Sequence, residues 1–155
     1  MKLHRRVFLS GAIAISALLA LPRALLAAYP TKAFGADNAD EALSTLLGST
    51  EHSPSDKITL TAPDIAENGA VVPISVATSL EGAESISVLV EENPQPLVAS
   101  FDLTPGTMAD VSTRIKMGKT SNVIAVVKAN GKLYSTSKEV KVTIGGCGGC
   151  AQIER

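Results

Sequence analysis

Aromatic, sulfur-containing and imidazole side chains are all scarce in this chain of 155 residues. It has no tryptophan, two tyrosines, three phenylalanines, two cysteines and two histidines. With so few aromatics, the core has to be built from Val, Ile, Leu and Ala. His52 is the only histidine beyond the first 28 residues, and no serine lies in a nucleophile elbow, so a serine-triad hydrolase is excluded. We expect His52 to be a surface residue, and the spacing leaves open whether it meets a cysteine.

A hydrophobic run long enough to span a membrane is also missing. The apolar stretch Gly11–Leu21 has eleven residues, fewer than the roughly 20 that a transmembrane helix needs. It follows residues 5–9, Arg-Arg-Val-Phe-Leu, which match the core of a twin-arginine export signal. Arg23 and the small residues Ala27 and Ala28 fit the end of such a signal. We therefore expect residues 1–28 to be a cleaved signal and the mature protein to be periplasmic, with no stable membrane anchor.

Positive charge is in deficit once the signal is removed. The signal takes four of the 14 Lys and Arg, which leaves ten against 15 Asp and Glu and a net charge of about −5. Such a chain has no basic patch to neutralise phosphates, so nucleic-acid binding is excluded. The remaining length, about 127 residues, suits one ordinary domain.

One helix is predicted near the start of the mature chain, over residues 33–48. Asp37 or Asn38 can cap it, and Gly48 can end it. An apolar stripe at helical spacing, which most often packs against a core, is formed by Ala39, Leu43, Leu46 and Leu47. We assign residues 29–56 to an N-terminal helical segment.

β-Structure is predicted from Lys57 onward, because alternating or β-branched runs are separated by Gly, Pro and Asn breakers. Asn130-Gly131 is a strong hairpin signal, since both residues accept positive φ in a type I′ turn. Pro73 indicates an edge or a bulge. The predicted strands are 58–60, 71–77, 86–90, 97–103, 111–117, 122–128 and 132–144. About seven strands at this spacing predict an all-β fold, an immunoglobulin-like antiparallel sandwich over residues 57–144.

Both cysteines lie in the last eleven residues, and Cys147 stands between two Gly-Gly pairs. Glycine loses the most backbone entropy on ordering, so this pattern predicts a flexible arm over residues 145–155 that carries an accessible thiol. The four arm glycines are Gly145, Gly146, Gly148 and Gly149. A disulfide between Cys147 and Cys150 would close a loop too small to constrain the fold. We interpret both cysteines as reactive thiols.

The Cys147–Cys150 spacing formally matches the redox motif Cys-x-x-Cys. In thioredoxin-like enzymes that motif opens a helix whose dipole lowers the thiol pKa. Here only five residues follow Cys150, so that context is missing. A structural zinc site needs four ligands, and the two cysteines with His52 offer three. We expect no metal and no cofactor.

The chain resembles the SoxY family, the sulfur-carrying subunits of a periplasmic thiosulfate-oxidising system. The resemblance lies in residues 57–60, 62–73, 92–94, 96–97, 112–117, 120–127 and 142–149. Together these segments cover nearly all of the mature chain. The Gly-Gly-Cys-Gly-Gly ending is specific to the swinging arm of that family.

The resemblance implies a covalent carrier that is not itself an enzyme. The thiol at the position of Cys147 would be joined to the sulfane sulfur of thiosulfate by a c-type cytochrome of the SoxAX type. A SoxB-type hydrolase would then release sulfate, and a SoxCD-type sulfane dehydrogenase, where present, would oxidise the remaining sulfur. The family also implies a heterodimer with SoxZ.

One departure from the family lies at the C-terminus. Family chains typically end at or just after the position of Gly149, whereas this chain continues through Cys150 to Arg155. Cys150 could form a reversible disulfide with Cys147, resolve a mixed disulfide, or take no part. The alternatives to a carrier are a periplasmic thiol-disulfide protein that uses both thiols and a binding sandwich with an inert tail.

Overall fold

Two short helices precede the β-structure in the computed structural model, which describes residues 29–143. The helices are α1, Thr31–Phe34, and α2, Ala39–Leu47. The prediction of one helix over residues 33–48 is wrong, because Gly35 ends α1 and Asn38 has an extended backbone. The Asn38 side chain accepts a hydrogen bond from the Glu41 N–H at 2.8 Å, and Gly48 ends α2 with φ of 79°. Neither helix within residues 29–143 is long and apolar enough to cross a bilayer.

Nine strands follow in the described part of the chain. They are β1 Ser53–Pro54, β2 Ile58–Thr61, β3 Ile65–Ala66, β4 Val72–Thr78, β5 Ala83–Val90, β6 Leu97–Asp102, β7 Asp110–Ile115, β8 Ser121–Ala129 and β9 Lys132–Val142. The seven strands of four residues or more lie where strands are predicted. The two-residue strands β1 and β3 are too short to show the alternation on which a sequence-based prediction depends.

The strands form two sheets that pack face to face. The larger sheet has the order β1-β9-β8-β5-β6, and β3 also pairs with β9; the smaller sheet has the order β2-β4-β7. Strands β1 and β3 run parallel to β9, whereas the other pairings are antiparallel. The predicted immunoglobulin-like antiparallel sandwich is confirmed, with two short parallel additions at the edge of β9.

The turn between β8 and β9 fixes the register of the central hairpin. Asn130 has φ of 51° and Gly131 has φ of 72°, the positive values that a type I′ turn requires. Ala129 consequently pairs with Lys132, and the ladder continues to Ser121 opposite Val140. The hairpin prediction is confirmed, and it determines which face of β9 is buried.

Two apolar cores cover both faces of the larger sheet. Between the sheets lie alternate residues of the central strands, including Val72, Ile74, Val76, Ile86, Val88, Val90, Val123, Ala125 and Val127. On the outer face, the helices cover Leu89, Leu97, Val126 and Leu133 with Ala33, Ala36, Ala42 and Leu43. Strands β5 and β8 are therefore buried on both sides, which explains their nearly continuous apolar runs.

Asn38 and Asp37 provide a matched test of the start of α2. Only the Asn38 side chain accepts the Glu41 N–H, so Asn38→Ala should lower the free energy of unfolding by about 1 kcal/mol. Asp37→Ala, one residue earlier and exposed, should leave it nearly unchanged. Urea denaturation of both variants measures the difference, and an equal loss in the two would contradict the assigned cap.

Candidate functional site

The predicted thiols lie just beyond the described residues. Cys147, Cys150 and the arm glycines Gly145, Gly146, Gly148 and Gly149 fall outside residues 29–143. The structure does describe the segment from which they follow. Thr143 is the last described residue, and Cys147 comes four positions later. The site is therefore built from the end of β9 and the two loops beside it, residues 62–71 and 116–120, which together we call the arm root.

One edge of β9 pairs with β8 as far as Val140. Ser121, the first residue of β8, lies opposite Val140, so Val142 lies beyond the ladder. The N–H of Val142 instead donates to the hydroxyl of Thr120 at 3.0 Å. A side chain thus replaces the missing strand partner.

The other edge of β9 is held by β3 and the residues around it. The N–H of Lys141 donates to the carbonyl of Asp64 at 3.0 Å, and the N–H of Thr143 donates to the carbonyl of Ala66 at 3.1 Å. The hydroxyl of Thr143 lies 3.1 Å from the carbonyl oxygen of Glu67, to which it donates. On this edge, hydrogen bonds therefore continue along β9 and on to Thr143, the last described residue.

The two loops of the arm root are also bonded to each other. The N–H of Met117 donates to the carbonyl of Gly69 at 2.7 Å, and the Met117 side chain is fully buried. The Asn93 amide donates to the carbonyl of Lys116 at 2.8 Å and accepts from the N–H of Gly118 at 3.0 Å. Hydrogen bonds therefore join both sides of the β9 end into one structure.

Two ion pairs flank the arm root. The Lys138 ammonium donates to the carbonyl of Ala62 at 2.6 Å and lies 2.9 Å from an Asp64 carboxylate oxygen. The Lys119 ammonium lies 2.7 Å from the Glu92 carboxylate; its hydrogen bond and charge hold the pKa of Glu92 below the ordinary value of 4.5. Both members of the second pair are exposed, so it adds little to stability.

A groove of about 420 Å³ borders the arm root. Arg114 and Lys116 line it, together with the stacked rings of Tyr29 and Phe34, whose centroids are 4.9 Å apart. No Asp or Glu lines this groove, although acidic residues outnumber basic ones in the chain. Its charged lining residues are both basic, and its lining within residues 29–143 includes no Cys, Ser, Thr or His side chain.

His52 lies at the other end of β9. It is exposed, as predicted, and its Nδ1 lies 2.8 Å from the hydroxyl of Ser135. Ser135 precedes Thr143 by eight residues, a distance of roughly 26 Å along an extended strand. The structure therefore places His52 far from the arm root. Within residues 29–143, no three His, Cys, Asp or Glu side chains form a group that could hold a metal ion.

Comparison with known proteins identifies the family. The sequence model of the SoxY family, described as sulfur oxidation protein SoxY, matches residues 43–147. This chain belongs to the SoxY family. The match ends on Cys147, so it includes the first thiol and excludes Cys150 and the residues after it.

A solved structure of a SoxY protein agrees with this assignment. The chain is 49% identical to the sulfur carrier protein SoxY from Chlorobium limicola f thiosulfatophilum, with a TM-score of 0.63. The alignment covers 72% of this chain and 96% of that one. The endo-β-1,4-mannanase from Thermotoga petrophila is also similar, at 14% identity and a TM-score of 0.43 over 67% of this chain and 23% of that one, a likeness too weak to carry an argument. No curated protein matches the chain.

Several residues that hold the arm root in place belong to no chemistry-bearing motif in the sequence. Thr120, Thr143 and Asn93 act through hydrogen bonds to backbone groups that are distant in sequence. Their local signals are weak: Asn93 precedes a proline, and Thr120 stands just before a strand. Only the pairing of β9 with its neighbours shows what they contact.

Asn93 and Asn122 provide a matched test of how firmly the arm root is held. Asn93 makes two bonds to backbone groups of the 116–120 loop, whereas Asn122 makes one bond to the exposed carboxylate of Glu91. Asn93→Ala should lower the free energy of unfolding by about 1–2 kcal/mol, and Asn122→Ala by less than about 0.5 kcal/mol. Urea denaturation measures both, and losses of the same size would contradict the assigned role of Asn93.

Proposed function

We propose that this protein carries sulfur intermediates of thiosulfate oxidation as covalent adducts of Cys147. The observation that carries the proposal is membership of a sulfur-oxidation family whose match includes Cys147. The 49% identity to a sulfur carrier protein supports the same role. The chain itself is a substrate carrier in this proposal, and its partners supply the catalysis.

Loading of the carrier is an oxidation. The Cys147 thiol gives up its proton, a bond forms between its Sγ and the sulfane sulfur of thiosulfate, and two electrons pass to a c-type cytochrome of the SoxAX type. In the next step a SoxB-type hydrolase adds water across the bond between the sulfane sulfur and the sulfone. Hydrogen sulfate leaves with the hydroxyl group of the water, and a persulfide stays on Cys147. A SoxCD-type dehydrogenase, where present, would oxidise the outer sulfur of that persulfide to a sulfonate. Water would supply the three oxygen atoms, and six electrons would pass to an electron acceptor of the dehydrogenase. A second hydrolysis would then release sulfate and the free Cys147 thiol.

The proposed arm explains how one thiol serves several enzymes. In this proposal the Gly-Gly-Cys-Gly-Gly segment is narrow and mobile, so Cys147 can enter an active-site channel while the sandwich stays outside it. The firmly bonded arm root gives such an arm a defined starting point. A SoxZ subunit would form the heterodimer, and the twin-arginine signal would bring the protein to the periplasm.

Separate replacement of the two cysteines tests the proposal. The mature protein is incubated with thiosulfate and the SoxAX-type cytochrome, and the adduct is measured by intact-mass spectrometry. Cys147→Ser should abolish the adduct, whereas Cys150→Ser should leave its yield within about twofold of the unmodified protein, since a carrier needs one thiol.

Two results would contradict the carrier role of Cys147. An adduct that survives Cys147→Ser would place the cargo elsewhere. Loss of loading in Cys150→Ser would favour a thiol-disulfide protein that uses both cysteines. Circular dichroism of each variant serves as the control for folding.

A further inference from the structure

Strand β9 is longer than the ladder that supports it. Strand β8 starts at Ser121, opposite Val140, while β9 continues to Val142. The residues that follow Val140 need hydrogen-bond partners that the antiparallel ladder no longer provides. Unpaired backbone groups at the end of a strand exchange readily with water and let the strand fray.

Two threonine hydroxyls lie where this support is needed. The hydroxyl of Thr120 accepts the N–H of Val142 at 3.0 Å, on the edge where β8 is missing. The hydroxyl of Thr143 donates to the carbonyl of Glu67 at 3.1 Å, on the opposite edge. The loops that hold these two partners are bonded to each other between Met117 and Gly69 at 2.7 Å. The end of β9 is thus held between two loops that are hydrogen-bonded to each other.

We propose that Thr120 and Thr143 are positioning residues that fix the point at which the Cys147 segment leaves the sandwich. Their functional effect rests on the proposed carrier role, whereas their effect on the β9 end does not. Neither residue contacts the reacting sulfur in this account. Both act by keeping Lys141 and Val142 in β9 and Thr143 bonded beside it.

The last residue held by the sandwich matters because it sets the greatest distance that Cys147 can lie from the sandwich. Cys147 follows Thr143 by four residues, so an extended chain takes it at most about 14 Å from Thr143. Release of β9 back to Val140 would add three residues and extend that limit to about 24 Å. The volume open to the thiol then grows roughly fivefold, and its effective concentration at a docked partner falls by a similar factor.

Isosteric replacement of the two hydroxyls tests the proposal on the whole mature chain, in a Cys150→Ser background. Thr120→Val, Thr143→Val and the double variant remove the hydroxyls with little change of shape. The matched control is Thr59→Val, because Thr59 is exposed on β2 and its hydroxyl makes no hydrogen bond within residues 29–143. Thr120→Ser and Thr143→Ser keep a hydroxyl and should restore the behaviour of the parent.

Three readouts are compared. Amide hydrogen exchange at positions 142 and 143, measured by NMR and divided by the intrinsic rate of the residue present, should become roughly two- to tenfold faster in the valine variants, with Val127 as an internal reference. Loading of Cys147 by the SoxAX-type cytochrome should fall several-fold in the double variant. Alkylation of Cys147 by iodoacetamide should stay unchanged, because a small reagent does not depend on where the thiol is held.

Each outcome decides the proposal. Unchanged exchange at Val142 and Thr143 would overturn the role of the hydroxyls at the β9 end. Faster exchange with undiminished loading would overturn their role as positioning residues. If the parent protein takes up no sulfur at all, the proposed carrier function fails, and exchange alone then decides whether the hydroxyls fix the end of the strand.

Discussion

The backbone hydrogen bonding of β9 is the constraint on which the rest of this structure depends. The strand pairs with β8 along one edge and with the short strands β1 and β3 along the other. Because buried N–H and C=O groups need partners, both edges have to be filled wherever the sandwich covers them. Beyond Ser121, the first residue of β8, the hydroxyl of Thr120 continues the pairing, and the carbonyls of Ala66 and Glu67 accept hydrogen bonds on the other side. Hydrogen bonds therefore hold the chain through the end of β9 and up to Thr143, the last described residue.

The two cores explain why such a strand can serve as a fixed support. The inter-sheet core and the helix-covered core bury opposite faces of β5 and β8, and β8 is the neighbour of β9 in the larger sheet. Val140 belongs to the inter-sheet core and is fully buried, only three residues before Thr143. Closely packed interiors have low compressibility and resist local deformation. We therefore expect the end of β9 to keep its place when a partner draws on the residues beyond it.

The sequence is most informative where a local pattern determines the structure. Positive φ at Asn130 and Gly131 fixes one hairpin, and alternation along the longer strands predicts the sandwich. The predicted helix over residues 33–48 misses the break between α1 and α2. The apolar stripe from Ala39 to Leu47 belongs to α2 alone, and Gly35 and Asn38 are both residues that end or begin helices.

The contacts at the arm root could not be predicted in the same way. The bonds from Thr143 to Glu67 and from Val142 to Thr120 join residues 76 and 22 positions apart. Such contacts depend on the order and register of strands, which alternation alone does not specify. The proposed chemistry of Cys147 rests instead on the glycine content around it and on the family match, which extends to that residue.

The most direct test of the account is the state of Cys147 in the protein taken from its native host during growth on thiosulfate. Intact-mass spectrometry with peptide mapping, carried out without reductant, reports every adduct and its position. The account predicts a mature chain that begins near Tyr29 and carries thiosulfate-derived sulfur on Cys147. A chain in which Cys147 is found only as a free thiol, or only in a disulfide with Cys150, would contradict it.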